Sequence, residues 1–370
     1  MSEIRSDSQS NNSNANLDES KTNSLLEKVF DDITGAYTTL LCSIGDKLDL
    51  FKKLESYGPL TSIELAKIAN VDERYVREWL YAMASAGYIL YDSITQKFNL
   101  PAEHAPILTQ EGGPIFLAGI YQQFLAEIKN TDKLIQKFRE GGGISIVEFD
   151  KDEFIGLERM TASWFDNLLL TVWIPAVPEI KKNLEKGIDV ADIGCGRGRA
   201  IIKMAQAFPN SRFVGYDVVE SVIDYANSQA LSLGLKDRVT FKKLDVEGGI
   251  PEGKRYDLIT TFDVIHDLAD PISVLKSIYK ALKPDGAYLW LEINSKDKPE
   301  DNFGQIGTLL YSWSIVYCMT TSLAEKGLGL GTLGMSPSKV KEYCNKVGFN
   351  HIRKLPVDNP FNVLYEVKVM

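Results

Sequence analysis

Val190-Ala191-Asp192-Ile193-Gly194-Cys195-Gly196-Arg197-Gly198 decides the fold. An apolar run ends on a carboxylate and passes straight into Gly-x-Gly-x-Gly, and a helical pattern begins at once over Ala200–Ala207. Glycines let the chain turn sharply and approach a ligand closely. Two readings of the turn compete. A dinucleotide site asks for G-x-G-x-x-G with a pyrophosphate on the helix N-terminus. Here the third position of that fingerprint is Arg199, and a pyrophosphate would be repelled by Asp192 at the strand end. A carboxylate in that place suits a cationic ligand.

Downstream, strands and helices alternate. Ile188–Ile193, Arg212–Asp217, Val239–Leu244, Tyr256–Phe262 and Ala287–Ile293 read as strands, with helices over Ala200–Ala207, Val222–Ser232 and Ile272–Leu282 between them. Such alternation predicts a parallel sheet with helices on both faces, a Rossmann-like doubly wound α/β domain over residues 184–370. Ser338–Lys346 reads as a last helix, and His351–Leu355 with Asn362–Val369 as a closing hairpin. The segment 294–337, rich in Tyr, Trp, Ser and Gly, falls where an α/β fold carries a lid or substrate wall.

Upstream, Leu25, Val29, Ile33, Tyr37, Leu41, Ile44 and Leu48 recur at three or four residues and mark one stripe of a long helix. Thr61-Ser62-Ile63-Glu64 is a capping box opening a helix through Ala69. A second helix runs from about Glu73 to Ala86, and Tyr88–Tyr91 with Lys97–Leu100 forms a β-hairpin. Helix, turn, helix and hairpin together predict an N-terminal winged-helix, mainly helical domain over 23–110. Residues 111–183 read as a helical linker and substrate cap, interrupted by Gly141-Gly142-Gly143. Residues 1–22, rich in Ser, Asn and acidic side chains, are expected to be disordered.

The 370 residues, 44% hydrophobic and 25% charged, fit a globular protein of two domains. The net charge of −9 argues against a phosphate backbone as partner, because nucleic-acid affinity comes from Lys and Arg. Residues 61–100 hold Lys67, Arg74, Arg77 and Lys97 against Glu64, Asp72, Glu73, Glu78 and Asp92, so a DNA-binding regulator, the rival reading of a winged helix, lacks the usual basic face. Cys42, Cys195, Cys318 and Cys344 lie far apart and suggest neither a disulfide frame nor a zinc site. No metal is expected. With no secretion signal and no apolar run of membrane length, the expected location is the cytoplasm.

Further acidic residues stand at strand ends. Asp217 closes the second strand, nineteen residues after Gly198, where a carboxylate can accept both hydroxyls of a ribose; Val218 follows it. Asp245 closes the third, in place to take an adenine amino group while Val246 touches the ring. Phe262-Asp263 closes the fourth. Ligands of open α/β sheets bind beyond the carboxyl ends of the strands, so these ends converge on one site.

This part of the sequence resembles the class I S-adenosylmethionine-dependent methyltransferases. With the front domain, the chain is similar to winged-helix methyltransferases typified by a mycobacterial protein of unassigned substrate. Phe208-Pro209-Asn210-Ser211-Arg212-Phe213-Val214-Gly215-Tyr216-Asp217, Phe262-Asp263-Val264-Ile265-His266-Asp267, and Ser322-Leu323-Ala324 through Gly329-Leu330-Gly331-Thr332 carry the resemblance. It implies S-adenosylmethionine as cofactor, held by Asp192, Gly194, Gly196, Gly198, Asp217, Val218, Asp245, Val246, Phe262 and Asp263. It also implies a homodimer through the front domain. The chain departs from that subfamily at Tyr317-Cys318-Met319, usually His-Cys-Met, and at Gly334-Met335, usually Trp-Gly. Both departures lie in the lid, so no acceptor is carried over.

His266, one of three histidines, follows the fourth strand in a segment that also resembles small-molecule O-methyltransferases, whose histidine removes the acceptor proton. Imidazole suits that work because its pKa lies near working pH. Asp267 either orients it or caps a helix. A base implies a hydroxyl or thiol acceptor; a thioether would need none. Trp164, Phe165, Tyr311, Trp313 and Tyr317 are candidate walls of an apolar acceptor pocket.

Overall fold

A computed structural model describes residues 17–251, 255–357 and 359–369. Of the expected disordered start, residues 1–16 lie outside the described residues. The rest is corrected: α1 (Glu19–Lys47) begins inside that segment, because Asp18 caps it by accepting from the N–H groups of Ser20 and Lys21. Only Cys42, Ser43 and Gly45 of α1 are buried, and Leu25, Phe30, Ile33 and Tyr37 are exposed.

The front domain continues with α2 (Leu50–Tyr57), α3 (Ser62–Ala69), α4 (Glu73–Ser85), β1 (Leu90–Asp92) and β2 (Lys97–Asn99). Thr61 and Glu64 form the expected capping box at α3, and Asp72 caps α4. β1 and β2 pair antiparallel, and Leu60 bridges to Phe98 as a third short strand. Leu54, Leu65, Leu80, Met83 and Phe98 fill the core of this winged helix.

Next come α5 (Ala105–Leu108), α6 (Ala118–Glu127), α7 (Thr131–Glu140) and α8 (Lys151–Trp164), the last prolonged by a π-helical stretch over Phe165–Trp173. α6 and α8 nearly touch along their backbones. A Cβ on Gly119 would stand 2.6 Å from Met160 N, and one on Gly156 2.6 Å from Gln123 N. Arg159 of α8 reaches Asp46 of α1 at 2.6 Å and Glu111 at 2.7 Å, tying this cap to the front domain.

After α9 (Pro178–Lys186), strands and helices alternate: β3 (Asp189–Ile193), α10 (Arg199–Ala207), β4 (Arg212–Asp217), α11 (Glu220–Ser232), β5 (Val239–Lys243), β6 (Tyr256–Phe262), α12 (Pro271–Ala281) and β7 (Leu282–Ile293). Then follow α13 (Gln305–Trp313), α14 (Met319–Ala324), α15 (Pro337–Val347), β8 (His351–Lys354) and β9 (Asn362–Lys368). The sheet order is β5-β4-β3-β6-β7-β9-β8. β3 to β7 run parallel, and β8 and β9 close the edge antiparallel. The strands lie between two apolar layers. One holds Ile201, Met204 and Phe241, the other Val274, Ile278 and Tyr343. Strand order reverses between β3 and β6, and an α/β sheet opens its ligand crevice at such a switch point.

The insertion expected over 294–337 is mostly helical: α13 passes through a π-helical turn over Ser314–Cys318 into α14. Gly143 lies so close to the carbonyl of Thr320 that no side chain fits there, and Ile144 N–H donates to Thr320 Oγ1 at 3.0 Å. The glycine run thus lets the cap close on the lid. Among the described residues no helix is long and apolar enough to cross a membrane.

Candidate active site

The glycine turn after β3 keeps all three glycines at positive φ: +67° at Gly194, +51° at Gly196 and +83° at Gly198. A Cβ on Gly194 would meet the Val264 methyls at 2.6 and 2.7 Å, whereas at Gly196 it would meet nothing within 4 Å. The bare backbone of Gly196 therefore faces open space. That space is a cavity of about 520 Å³ lined by Gly194, Gly196, Asp217, Val218, Asp245, Val246, Phe262 and Asp263 among others. Its size falls in the range of about 300–1,000 Å³ typical of small-molecule sites.

Asp217 accepts the N–H of Gly196 at 2.9 Å on one oxygen and that of Val219 at 3.0 Å on the other. Each oxygen keeps a second lone pair. Burial holds this carboxyl above its ordinary pKa although those N–H groups pull it down. Asp192, at the end of β3, is 2% exposed and accepts the Thr260 hydroxyl at 2.6 Å. Burial pushes its pKa up to about 7, and the Asp217 charge adds to the rise. Two carboxylates enclosed so near each other are short of a cation. Asp245 caps the single turn Val246–Gly248 through Glu247 N–H at 2.9 Å, which leaves Val246 buried against the cavity. Gly198 closes the turn against the Phe241 ring and Ala226 and lines neither cavity.

A second cavity of about 180 Å³ adjoins the first and shares Gly194, Gly196, Phe262, Asp263, Asp267 and Tyr317 with it. His266 and Asp192 line this smaller space. Trp164, Phe165, Trp313 and Tyr317 are among the residues that line it. Tyr311 does not. It stands on the outer face of α13, 36% exposed with its ring toward Phe303, because helical spacing turns it away when Trp313 and Tyr317 face inward.

His266 sits in the single turn Ile265–Asp267 just after β6 and is 2% exposed. Its Nδ1 lies 2.7 Å from Glu292 Oε2, and Glu292 Oε1 accepts Trp290 Nε1–H at 3.0 Å. Its Nε2 lies 3.1 Å from Asp267 Oδ1. Burial alone would lower the ring's pKa, but the charges of Asp267 and Glu292 overcome it and hold the pKa well above the ordinary value. Asp267 caps no helix; it faces the ring. Asp263 takes a left-handed φ of +54°, strained for a non-glycine residue. Its Oδ2 accepts from Asn362 at 2.7 Å, while its buried Oδ1 has no partner.

Several residues here escape sequence reading. Glu292 interrupts the otherwise apolar Ala287–Ile293, and a buried carboxylate in such a strand is itself a signal. Gln123, Cys318 and Thr332 also line the smaller cavity but carry no local motif. Arg197 stacks on Tyr225 at 3.3 Å from the ring centre and pairs with Glu158 of the cap, so the glycine turn is fastened from above.

Residues 184–325 match the methyltransferase domain family, and residues 36–110 match the Rv2258c-like winged helix-turn-helix domain. The ubiquinone biosynthesis O-methyltransferase of Coxiella burnetii is 30% identical over 190 residues, half of this chain and 75% of that protein. The same-named protein of Actinobacillus pleuropneumoniae is 27% identical over 158 residues, 39% of this chain. The chain spans 65% of the length of that relative, just under two thirds. The mitomycin 7-O-methyltransferase MmcR has the same fold, with a TM-score of 0.69 at 20% identity over 95% of this chain and 99% of that one. The chain belongs to the class I S-adenosylmethionine-dependent methyltransferases, and S-adenosylmethionine is its cofactor. The site fits that group: enclosed carboxylates await a cation, and a glycine backbone faces a cavity of suitable size.

Proposed function

We propose that this protein transfers a methyl group to a hydroxyl or thiol of a small, largely apolar acceptor, with His266 taking the acceptor's proton. The observation that carries this reading is that His266 lines the same space as Asp192 and Gly196, at the junction with the cofactor cavity. O-methyltransferase relatives support a hydroxyl in particular.

Bound S-adenosylmethionine supplies a methyl group on a positively charged sulfur that leaves readily. The rest falls to the chain. Asp217 takes the ribose hydroxyls, and Asp245 the adenine amino group, with Val218 and Val246 against the ring. Asp192 and the backbone of Gly194 and Gly196 hold the cationic amino-acid portion, with Phe262 and Asp263 beside it, while Gly198 serves only to shape the turn. Trp164, Phe165, Trp313 and Tyr317 exclude water and orient the acceptor; positioning of this kind lowers a barrier by ~7–11 kcal/mol. Glu292 fixes the ring of His266 so that Nε2 faces the cavity, and the acceptor hydroxyl or thiol takes the place of Asp267 as the partner of Nε2; only the neutral ring takes the proton, so with its pKa held well above the ordinary value by Asp267 and Glu292 the rate rises toward alkaline pH.

Thioether methylation without a base gains no support from a buried Glu292–His266 pair. DNA binding gains none from α4, where Arg74 pairs with Glu78 and Arg77 with Glu73. The exposed apolar stripe of α1 supports a homodimer through the front domain; light scattering showing a full-length monomer would refute it.

The test is transfer from methyl-labelled cofactor to a panel of phenols, aliphatic thiols and thioethers, read by mass spectrometry. Methylation of phenols or thiols is the expected result. Turnover of thioethers alone would overturn the reading.

A further inference from the structure

Gln123 of α6 brings a buried polar atom without a partner to the wall of the smaller cavity. The side chain is 4% exposed. Its Nε2 donates to Glu127 Oε1 at 3.1 Å and to Glu153 Oε1 at 3.0 Å, so both amide hydrogens are committed. Those two bonds fix the amide. Oε1 is left with its lone pairs and no hydrogen-bond partner. A buried oxygen in that state costs stability, and an unsatisfied group of this kind at a cavity wall calls for a ligand that completes it.

The mount beneath it is rigid. α6 and α8 pack closely at Gly119 and Gly156, where a Cβ on Gly156 would stand 2.6 Å from Gln123 N. Glu127 lies one turn further along α6, and Glu153 faces Gln123 from α8. Burial raises the pKa of both carboxyls, so Glu153 favours its protonated form behind the amide. What Oε1 lacks is therefore a dipole and not a cation. The other polar cap side chains at this cavity already serve protein partners: Glu158 pairs with Arg197, and Thr161 donates to the Leu157 carbonyl at 2.9 Å.

We infer that Gln123 sets acceptor specificity by taking a hydrogen bond from a neutral O–H or N–H group that the acceptor carries away from the atom to be methylated. This inference rests on the methyl-transfer reading for its place in catalysis. His266 follows β6 at the sheet edge, whereas Gln123 descends from the cap, and Phe154, Met160, Trp164 and Tyr317 supply apolar wall to the same cavity. The acceptor is thus bifunctional: one hydroxyl or thiol meets His266, and a second donor meets Gln123 Oε1 and stays unmethylated. A site built to bond a substrate hydroxyl rejects the analogue that lacks it, because the protein's own polar atom is then left unpaired. An apolar pocket discriminates far less between groups of like size.

Matched phenols are the probes. Para-hydroxybenzyl alcohol and para-ethylphenol have nearly the same shape and differ in a terminal hydroxyl against a methyl; para-hydroxyphenethyl alcohol and para-propylphenol extend the arm by one carbon. The corresponding thiophenols cover a thiol acceptor. Calorimetry on the full-length protein saturated with S-adenosylhomocysteine measures binding apart from turnover. Burial of apolar surface alone favours the alkyl member of each pair. We expect the alcohol to bind more tightly instead, by about 5–100-fold in at least one pair, and Gln123→Met to remove that preference. A general loss of stability lowers both affinities and leaves their ratio alone. Circular dichroism checks folding, and Gln123→Met combined with Glu153→Leu, which removes an acid left without its donor, is the second variant. Equal or alkyl-favoured binding in every pair, no binding by any member, or a preference that survives in folded Gln123→Met overturns the inference. Methylation of both members at equal kcat/KM also overturns it and leaves the methyl-transfer reading standing. An alcohol preference that depends on Gln123, with no methylation of any phenol or thiophenol, upholds the inference and defeats that reading.

Discussion

The two halves of the cleft are built in opposite ways. On the cofactor side, one seven-residue stretch from Asp192 to Gly198 supplies the turn, and Asp217, Asp245 and Asp263 follow at the ends of successive strands. On the side of the smaller cavity, the proposed acceptor side, Gln123, Trp164, His266, Tyr317 and Thr332 arrive from the cap, a strand end and the lid. The first half follows from topology, because parallel strands put their carboxyl ends on one edge. The second depends on how α6, α8 and α13 pack above that edge. The larger cavity also takes lid residues Tyr317, Thr321, Ser322 and Glu325 into its wall, but its strand-end carboxylates come from the sheet alone.

The largest expected effect separates chemistry from cofactor binding. His266→Ala should lower kcat by roughly 10²–10⁴-fold, the usual contribution of a proton acceptor, while cofactor affinity stays nearly constant. Calorimetry with the cofactor beside single-turnover rates measures both. Equal losses in the two would make His266 a support of the cofactor half and erase the division.

Asp217→Ala should act on the other half. Two ribose hydroxyls bonded to a buried carboxylate predict a loss of about 1.5–3 kcal/mol in cofactor binding, the scale of hydrogen bonds to a charged group. The backbone N–H groups of Gly196 and Val219 also lose their acceptor, so the turn itself loosens. Unchanged affinity by calorimetry would remove Asp217 from the ribose.

The same division explains what could be read from the sequence. β3, β4 and β6 fall within a residue of their expected bounds, because buried strands are continuous apolar runs set off by glycine or charge. The capping box at Thr61 and Glu64 was equally legible, being a local hydrogen-bond exchange. Tyr311 was not: composition marks an aromatic, but only the packed helix shows which way it faces. Glu292 and Cys318 lie against His266, and nothing near them in sequence announces a neighbour 26 or 52 residues away. The start of α1 inside the polar segment turned on the single cap at Asp18.

The smallest effect concerns the acids of each half. Asp217 is satisfied by two backbone N–H groups, but Glu127 and Glu153 share one side-chain amide, Gln123 Nε2, at 3.1 and 3.0 Å. Glu153 Oε2 and Gln123 Oε1 have no partner. Burial raises the pKa of both carboxyls, and the charge of Glu127 raises Glu153 further. A carboxyl whose folded pKa is raised binds its proton more tightly in the native state than in the unfolded chain. Its contribution is therefore complete below the unfolded value of about 4.3 and is lost as pH rises through the folded one. Thermal unfolding of the wild type should thus shift downward between about pH 5 and about pH 9. Glu153→Gln has no proton to lose, keeps an oxygen for Gln123 Nε2 and offers a donor to Gln123 Oε1. Its melting temperature should fall less over the same range, by about 2–4 °C if roughly 1 kcal/mol is at stake. Parallel pH profiles in the two proteins would mean that Glu153 is ionised in the native state throughout, and the contrast between the two sets of acids would collapse.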